Sequence, residues 1–364
     1  MKLPISVCMI VKNEEDMLAQ CLSSVADVVN EIVIGDTGST DNTEGVARQY
    51  GIQTIPILWK DCFATARNAV IELATQPYIL IMDADERLIE SSIDALQGYV
   101  QSGTSSPGKV KVENVKEDGS VVYSQVTRLF PNTPSYRYEG KIHEQLNCNG
   151  IQPSSIMTSV SLLHLGYTDS AIAERGKLER NLRLLLEAEC QDQSNPYTQY
   201  QLGQTYFVGK QYEKAVQHLY NAIQLLPMDE QKTVAYMSNA WLSLCYSLFY
   251  LKQYNDVLKI VMNAIELYPD YTDLYFVYGL TLTSMGHSSA LELIPDVFMH
   301  CLALGETNSS NYETSKGVGT FKAHFNLGVY WEIVGDISRA KHHYQCAALD
   351  GYDVANDRLK ILTR

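Results

Sequence analysis

Pro77-Tyr-Ile-Leu-Ile-Met-Asp83-Ala-Asp85-Glu86 runs an unbroken apolar stretch into two carboxylates at i and i+2. Five consecutive apolar residues after a proline predict a strand buried on both faces, which is the signature of a parallel sheet covered by helices. In extended chain, residues two apart project to the same side, so Asp83 and Asp85 can act together where the strand ends. They could share one hard cation, or simply be solvated at a strand end.

The flanking sequence has matching units. Ile5 to Val11 is a second apolar run without helical period, and Met17, Leu18, Cys21, Leu22, Val25 and Val28 then fall on one helical face within residues 14–29. Glu31-Ile-Val-Ile-Gly is a short strand leading into Asp36-Thr-Gly-Ser-Thr-Asp-Asn-Thr43, where Thr40 or Asp41 is expected to cap the next helix. A further strand is expected near 51–58 and a helix over about 63–75. Strand and helix alternating through short links predict a parallel α/β sheet, whose ligand crevice lies at the carboxyl ends of its strands. Asp36 and the Asp83–Asp85 pair share that location. From 109 to 165 short β-rich stretches, Val110 to Val115 and Ser120 to Leu129 among them, are expected to extend the sheet and wall its acceptor side.

Beyond Pro196 helical periodicity takes over and no strand is expected. Gly203, Ala215, Ala222 and Pro227 fall in the same phase as Cys245, Val257, Ala264 and Pro269, and Gly328, Ala340 and Ala347 repeat it; a looser copy surrounds Gly279 and Gly286. Small residues let antiparallel helices approach closely, and a proline after the second helix ends the unit. This phase resembles tetratricopeptide (TPR) repeats, about four of them, the alternative being a non-repetitive helical bundle. The expected organisation is therefore a catalytic α/β domain over 1–167, a linker helix over 168–195 and a TPR-like domain over 196–364.

Composition narrows the function. The 364 residues are 46% hydrophobic and 19% charged, with a formal net charge of −14, and both halves are acidic. An anionic nucleic-acid backbone or membrane surface would be repelled. The eight cysteines are scattered singly, so neither a zinc ribbon nor a disulfide framework is signalled. The first apolar run is short and soon meets Lys12, Asn13, Glu14 and Glu15, so no membrane span is expected and a cytoplasmic location is.

Ser6-Val-Cys-Met-Ile-Val-Lys-Asn-Glu-Glu15, Val33-Ile-Gly-Asp-Thr-Gly-Ser-Thr-Asp-Asn-Thr43, Phe63-Ala-Thr-Ala-Arg-Asn68 and Met82-Asp-Ala-Asp-Glu86 occur in order. Together they resemble glycosyltransferase family 2, with its GT-A fold, over about residues 4–165. Members with this opening and C-terminal TPR helices include bacterial peptide and protein glycosyltransferases. The resemblance implies an inverting, metal-dependent transfer from a UDP-sugar, a hexose or N-acetylhexosamine, to a peptide or protein side chain. It places Asp36 on the uracil or ribose, Arg67 near the uracil or diphosphate, and Asp83 on the ribose beside the metal ligand Asp85. Val11, Asn13 and Glu14 would wall the nucleotide, although Glu14 and Asp41 also suit helix capping. His164 would complete the shell of a Mn²⁺ or Mg²⁺ ion, its imidazole favouring Mn²⁺.

Direct displacement with inversion needs a base on the acceptor side. Within Tyr138-Glu-Gly-Lys-Ile-His-Glu144, Glu144 is the first candidate, Glu139 the second, and His143 would orient the acceptor or the carboxylate. This segment has His-Glu where the family more often has Glu-Asp. Trp59, Asp61 and Phe63 are candidates for the sugar pocket. Tyr197, Tyr200, Tyr206, Tyr212 and Tyr246 would serve either a peptide-binding concave face or helix packing. A homodimer through the repeats is open. The competing readings are a non-catalytic TPR scaffold that binds nucleotide-sugars, a transferase acting on a glycan, and a sugar nucleotidyltransferase. The last would need a glycine-rich phosphate loop, and residues 11–16 contain no glycine.

Overall fold

The computed structural model describes residues 2–115, 121–165, 171–286, 288–308 and 311–362. The chain forms two compact units, Met1–Leu185 and Leu186–Arg364.

In the first unit the elements follow the order β1 (Leu3–Val11), α1 (Leu18–Val25), β2 (Val29–Asp36), α2 (Thr43–Gln49), β3 (Ile55–Pro56), α3 (Phe63–Ile71), β4 (Tyr78–Ile81), β5 (Glu86–Leu88), α4 (Ile93–Ser102), β6 (Gly108–Val115), β7 (Val121–Pro131), β8 (Tyr136–Glu139), β9 (Gln145–Cys148), β10 (Ile156–Leu165) and α5 (Ala171–Gln191). One sheet runs β3-β2-β1-β4-β7-β6-β10-β5, and β8 pairs β9 as a separate hairpin. Strands β3, β2, β1 and β4 are mutually parallel. The sheet turns antiparallel where β7 joins β4, so it is mixed rather than wholly parallel. The β-rich stretch after residue 109 does extend the sheet, as its composition predicts.

The side-chain period of two explains why β4 and, apart from Ser6, β1 are apolar throughout. Val7, Met9, Val11, Leu80 and Met82 enter a core with α1 and α4, while Cys8, Ile79 and Ile81 enter a second core with α3. Each strand is thus covered on both faces. Gly35 makes the approach of α3 possible, since a Cβ there would meet Val70 Cγ2 at 2.5 Å. Two sequence expectations overreach. The strand expected over 51–58 is only Ile55–Pro56, because Pro56 has no N–H to donate to a ladder. The helix expected to residue 75 stops at Ile71.

The second unit is helical: α6 (Pro196–Val208), α7 (Tyr212–Gln224), α8 (Met228–Gln231), α9 (Met237–Tyr250), α10 (Tyr254–Leu267), α11 (Thr272–Met285), α12 (Ser288–Leu291), α13 (Ile294–Leu304), α14 (Phe321–Ile333), α15 (Ile337–Leu349) and α16 (Asp353–Leu362), with a two-residue strand at Thr314–Ser315 that periodicity did not signal. The small residues lie where paired helices cross. A Cβ added at Gly203 would meet Leu219 at 2.6 Å, at Gly279 Phe298 at 2.6 Å, and at Gly328 Tyr344 at 2.6 Å. Ala215, Ala222, Cys245, Val257, Ala264, Ala340 and Ala347 are wholly buried. The pairs α6–α7, α9–α10, α11–α13 and α14–α15 therefore follow the predicted phase, and the looser third unit is the one interrupted by α12 and the segment after α13. Tyr200 and Tyr206 are buried, while Tyr212 stacks on Tyr250 at 4.8 Å and Tyr246 on Tyr250 at 6.3 Å. At least the first two tyrosines are packing residues.

The linker helix expected over 168–195 corresponds to α5, Ala171–Gln191, and the division between units falls inside it. Residues 166–170, including the expected boundary at 167, lie outside the described residues. No helix among the described residues is long and apolar enough to cross a membrane.

Candidate active site

Strand register gathers the candidate residues. Val11 at the end of β1 sits opposite Asp36 at the end of β2, and β4, pairing Ile81 with Cys8, delivers Asp83 just beyond the same edge. The two loops that leave β1 and β2 brace each other. Thr37 donates through its N–H and its hydroxyl to the Val11 carbonyl, at 3.0 and 3.1 Å. Asn13, at φ +57°, accepts from Thr40 N at 2.7 Å through Oδ1 and donates through its own N–H to Ser39 Oγ at 2.9 Å. Glu14 N donates to Thr43 Oγ1 at 2.7 Å. Asp41 Oδ1 accepts from Thr43 N at 3.0 Å in the turn before α2, but the cap position is Asn42, not the expected Thr40 or Asp41. One oxygen of Asp36 is taken up by its own turn, accepting from Gly38 N and Ser39 N at 2.8 and 2.7 Å. Its other oxygen accepts nothing in that turn. Val11 and Asn13 therefore build the loop frame around Asp36.

Beyond β4 the charges form an alternating ladder. Arg67, buried on α3, donates through Nε to Glu144 Oε1 at 2.8 Å and through Nη2 to Asp83 Oδ1 at 3.4 Å. Asp83 Oδ2 accepts from Arg128 Nη2 at 2.9 Å, and Arg128 Nη1 reaches Glu86, which is 3% exposed. The guanidinium groups of Arg128 and Arg67 hold the Asp83 carboxyl well below the usual range, outweighing its burial. Burial pushes Glu86 upward despite its arginine, with the Asp83 charge adding to the shift. Arg67 Nη1 is buried and has no hydrogen-bond partner among the described residues. A buried guanidinium N–H without an acceptor is costly, so it marks a position where a ligand oxygen would be welcome.

Asp85 lies on the other side of the turn. Its Oδ2 is 3.1 Å from His164 Nε2, and His164 Nδ1 is 2.8 Å from Asn114 Oδ1. Register produces this group, because His164 on β10 sits between Asn114 on β6 and Glu86 on β5. Asn114 Nδ2 donates to the Val122 carbonyl at 3.1 Å, which orients its Oδ1 to accept the Nδ1 proton of His164. Nε2 then meets a carboxylate, an arrangement satisfied by a second proton or by a cation between them. The expected trio of Asp83, Asp85 and His164 is thus divided, with Asp83 turned to arginines. Among the described residues no three His, Cys, Asp or Glu side chains gather as a ready cation cage.

The β8–β9 hairpin brings the acceptor-side candidates. Asn68 of α3 clamps it, donating to the Tyr138 carbonyl at 2.9 Å and accepting from Tyr138 N at 2.8 Å. Arg67 lies over the Tyr138 ring, 5.4 Å from its centroid. Glu144 is thereby placed in the ladder. Glu139 points elsewhere, its exposed carboxylate accepting from Asn147 Nδ2 at 2.6 Å. His143 takes φ +50° in the tight link, and burial pushes its imidazole pKa down. Trp59 Nε1 donates to Asp61 Oδ1 at 3.0 Å, its ring packs edge-on to Phe63, and Arg183 pairs with Asp61 at 2.9 Å. These three form one cluster with α5.

Arg128, Glu86 and Asn114 are the site residues that sequence reading missed. Arg128 carried a signal: it is a lone cation immediately before Leu129 and Phe130, both wholly buried in β7.

The architecture is thus a GT-A-like mixed sheet whose parallel edge ends in this carboxylate–arginine group, followed by paired helices. A model of the family "Glycosyl transferase family 2" matches residues 6–164, the N-terminal domain, and a TPR-like region follows it. It is 34% identical over 184 residues to a TPR repeat-containing protein of Synechococcus elongatus, covering 48% of this chain and 45% of that one. It is 28% identical over 290 residues to the SPbeta prophage-derived glycosyltransferase SunS of Bacillus subtilis, covering 76% of this chain and 66% of the relative. The matched part is therefore about half to two thirds of these relatives' lengths. Among solved structures, MamA superposes with a TM-score of 0.39 at 22% identity, over 52% of this chain and 99% of that chain.

Proposed function

We propose that this chain is an inverting glycosyltransferase that moves a sugar from a UDP-sugar to a peptide or protein side chain. The observation that carries the reading is the buried Arg67, held between Asp83 and Glu144 with one guanidinium nitrogen left for an acceptor atom. Its fork suits a uracil carbonyl or a diphosphate oxygen. Asp36 and Asp83 accept from uracil N–H or ribose hydroxyls; a carboxylate has about four lone-pair sites, so Asp83 can keep its arginines while taking a hydroxyl proton.

Asp85 and His164 fit a divalent cation. Their facing atoms, 3.1 Å apart, match the roughly 3 Å between adjacent ligands of an octahedral ion with bonds of about 2.1 Å. Asn114 behind the imidazole fixes its tautomer in the way that supporting partners of metal-bound histidines do. Such an ion, Mn²⁺ or Mg²⁺, neutralises the charge that develops on a departing diphosphate. Glu144 is the base: Arg67 fixes one of its oxygens, and the acceptor proton goes to the carboxylate as the new bond forms. Glu139, tied to Asn147, is the second choice. The acceptor proposal rests on the helical unit, whose edge presents Phe207, Tyr212 and the half-exposed Tyr250 as one aromatic group. Rigid tyrosines offer contact area at low entropic cost, which suits a polypeptide.

Thermal shift with a panel of nucleotide-sugars, with and without Mn²⁺, tests the donor; UDP-sugars are expected to stabilise most. Glu144→Gln should keep UDP binding while transfer falls by about 10² or more. Undiminished turnover in EDTA, or full turnover by Glu144→Gln, overturns the respective assignment.

A further inference from the structure

We infer that Arg128, with Glu86, is a positioning residue that withholds Asp83 from the divalent cation and presents it to the nucleotide, leaving the cation to Asp85 and His164. The inference rests on the site reading above and adds to it a residue with no role there.

Asp83 and Asp85 follow the same strand, two residues apart, and nothing in their chemistry tells a cation which to choose. Their surroundings differ. Both oxygens of Asp83 are engaged by guanidinium groups, Oδ1 by Arg67 at 3.4 Å and Oδ2 by Arg128 at 2.9 Å, whereas Asp85 Oδ2 faces an imidazole nitrogen. A divalent ion on Asp83 would sit beside two fixed positive charges. Of the two arginines, Arg128 has the shorter contact and is itself anchored, because its other terminal nitrogen lies on Glu86.

Glu86 ties the group to the backbone. The carboxylate oxygen that meets Arg128 also accepts the Asp83 backbone N–H at 2.9 Å, and Glu86 N donates back to the Asp83 carbonyl at 3.1 Å. Arg128 thus grips the turn through side chain and main chain together. The Arg128 and Glu86 side chains are 15% and 3% exposed, but that of Asp83 is 35% exposed. The anchor is buried while the carboxylate it holds is open to a ligand. Without Arg128, Asp83 would keep only the longer contact, Glu86 would lose its counter-ion, and three carboxylates would stand within four residues. Such a cluster attracts Mn²⁺ more strongly and holds the nucleotide worse.

The test uses the full chain and two binding measurements, Mn²⁺ alone by titration calorimetry and UDP at saturating Mn²⁺. In Arg128→Met the Mn²⁺ affinity should rise by about fivefold or more while UDP affinity falls by about tenfold, because the charge that biases Asp83 is gone. Arg128→Lys keeps the charge but replaces the fork by one point contact, so Mn²⁺ affinity should stay near wild type and UDP affinity should fall at least about threefold. A melting temperature that drops with both affinities unchanged would show a purely structural role and overturn the inference. If Arg128→Met does not fold, the lysine variant decides, and unchanged UDP affinity there overturns it. Asp85→Asn in parallel separates the two levels: wild-type Mn²⁺ affinity in that variant removes the site reading itself, whereas its loss beside unaltered Arg128 variants removes only this inference.

Discussion

The two units solve opposite packing problems. In the first, a run of Glu144, Arg67, Asp83, Arg128 and Glu86 sits at the sheet edge, buried at Arg67 and Glu86 and partly open at Asp83, every charge facing an opposite one. In the second, contact is made by absence of side chain, at Gly203, Gly279 and Gly328, and by wholly buried alanines. Buried ion pairs are a poor way to gain stability, since desolvation cancels much of their attraction. Their presence marks where the molecule holds charges for use, while close-packed small residues mark a scaffold.

The largest expected effect breaks the first unit's ladder. Arg67→Met leaves Glu144 and Asp83 without their shared cation, and loss of one partner from a buried pair typically costs about 3–5 kcal/mol. Denaturant unfolding should report that loss, with UDP binding abolished; a variant of wild-type stability would mean that the ladder is not buried in solution.

Asp273 is the second unit's exception, a carboxylate only 1% exposed, accepting from Thr314 Oγ1 at 2.5 Å, Thr307 Oγ1 at 3.0 Å and Ser315 N at 2.9 Å. Burial raises its pKa to about 6 in spite of these donors. A carboxyl raised above its unfolded value favours the folded state fully below the unfolded pKa, and that contribution is lost as pH rises through about 6. Stability should therefore decline by about 2–3 kcal/mol between pH 4 and pH 7 from this group, taking about 1.4 kcal/mol per unit. Asp273→Asn should flatten that part of a pH–stability curve, and an unchanged slope would place the titration elsewhere.

Gly328→Val forces a side chain against Tyr344, and overpacking of this kind costs about 1–3 kcal/mol. If the units differ as described, calorimetry should show weaker helices while Mn²⁺-dependent UDP binding stays at wild-type strength. Tyr250→Ser should leave UDP binding and slow donor hydrolysis intact while transfer to a polypeptide falls. Unaltered transfer there would detach the aromatic edge from the acceptor. The smallest effect is the control: Arg48 and Glu44 form an exposed i,i+4 pair on α2, and Arg48→Ala should shift stability by no more than about 0.5 kcal/mol.

Sequence alone determined the parts that depend on local repetition. The apolar runs of β1 and β4, the helix phase of α1 and the spacing of Gly203, Ala215 and Ala222 are periodic signals, because burial on a strand or helix recurs every two or 3.6 residues. The aspartates at 36, 83 and 85 were legible for the same reason, lying where strands of predicted direction end. What only the tertiary structure decided is pairing between residues far apart in the chain. Arg128 meets Asp83 across 45 positions and His164 meets Asp85 across 79, and no period connects them. The antiparallel entry of β7 beside β4 sets one meeting, and the register of β10 between β6 and β5 sets the other. Which carboxylate faces arginines and which faces imidazole follows from that register, since two aspartates separated by one alanine are chemically alike until the sheet gives them different neighbours.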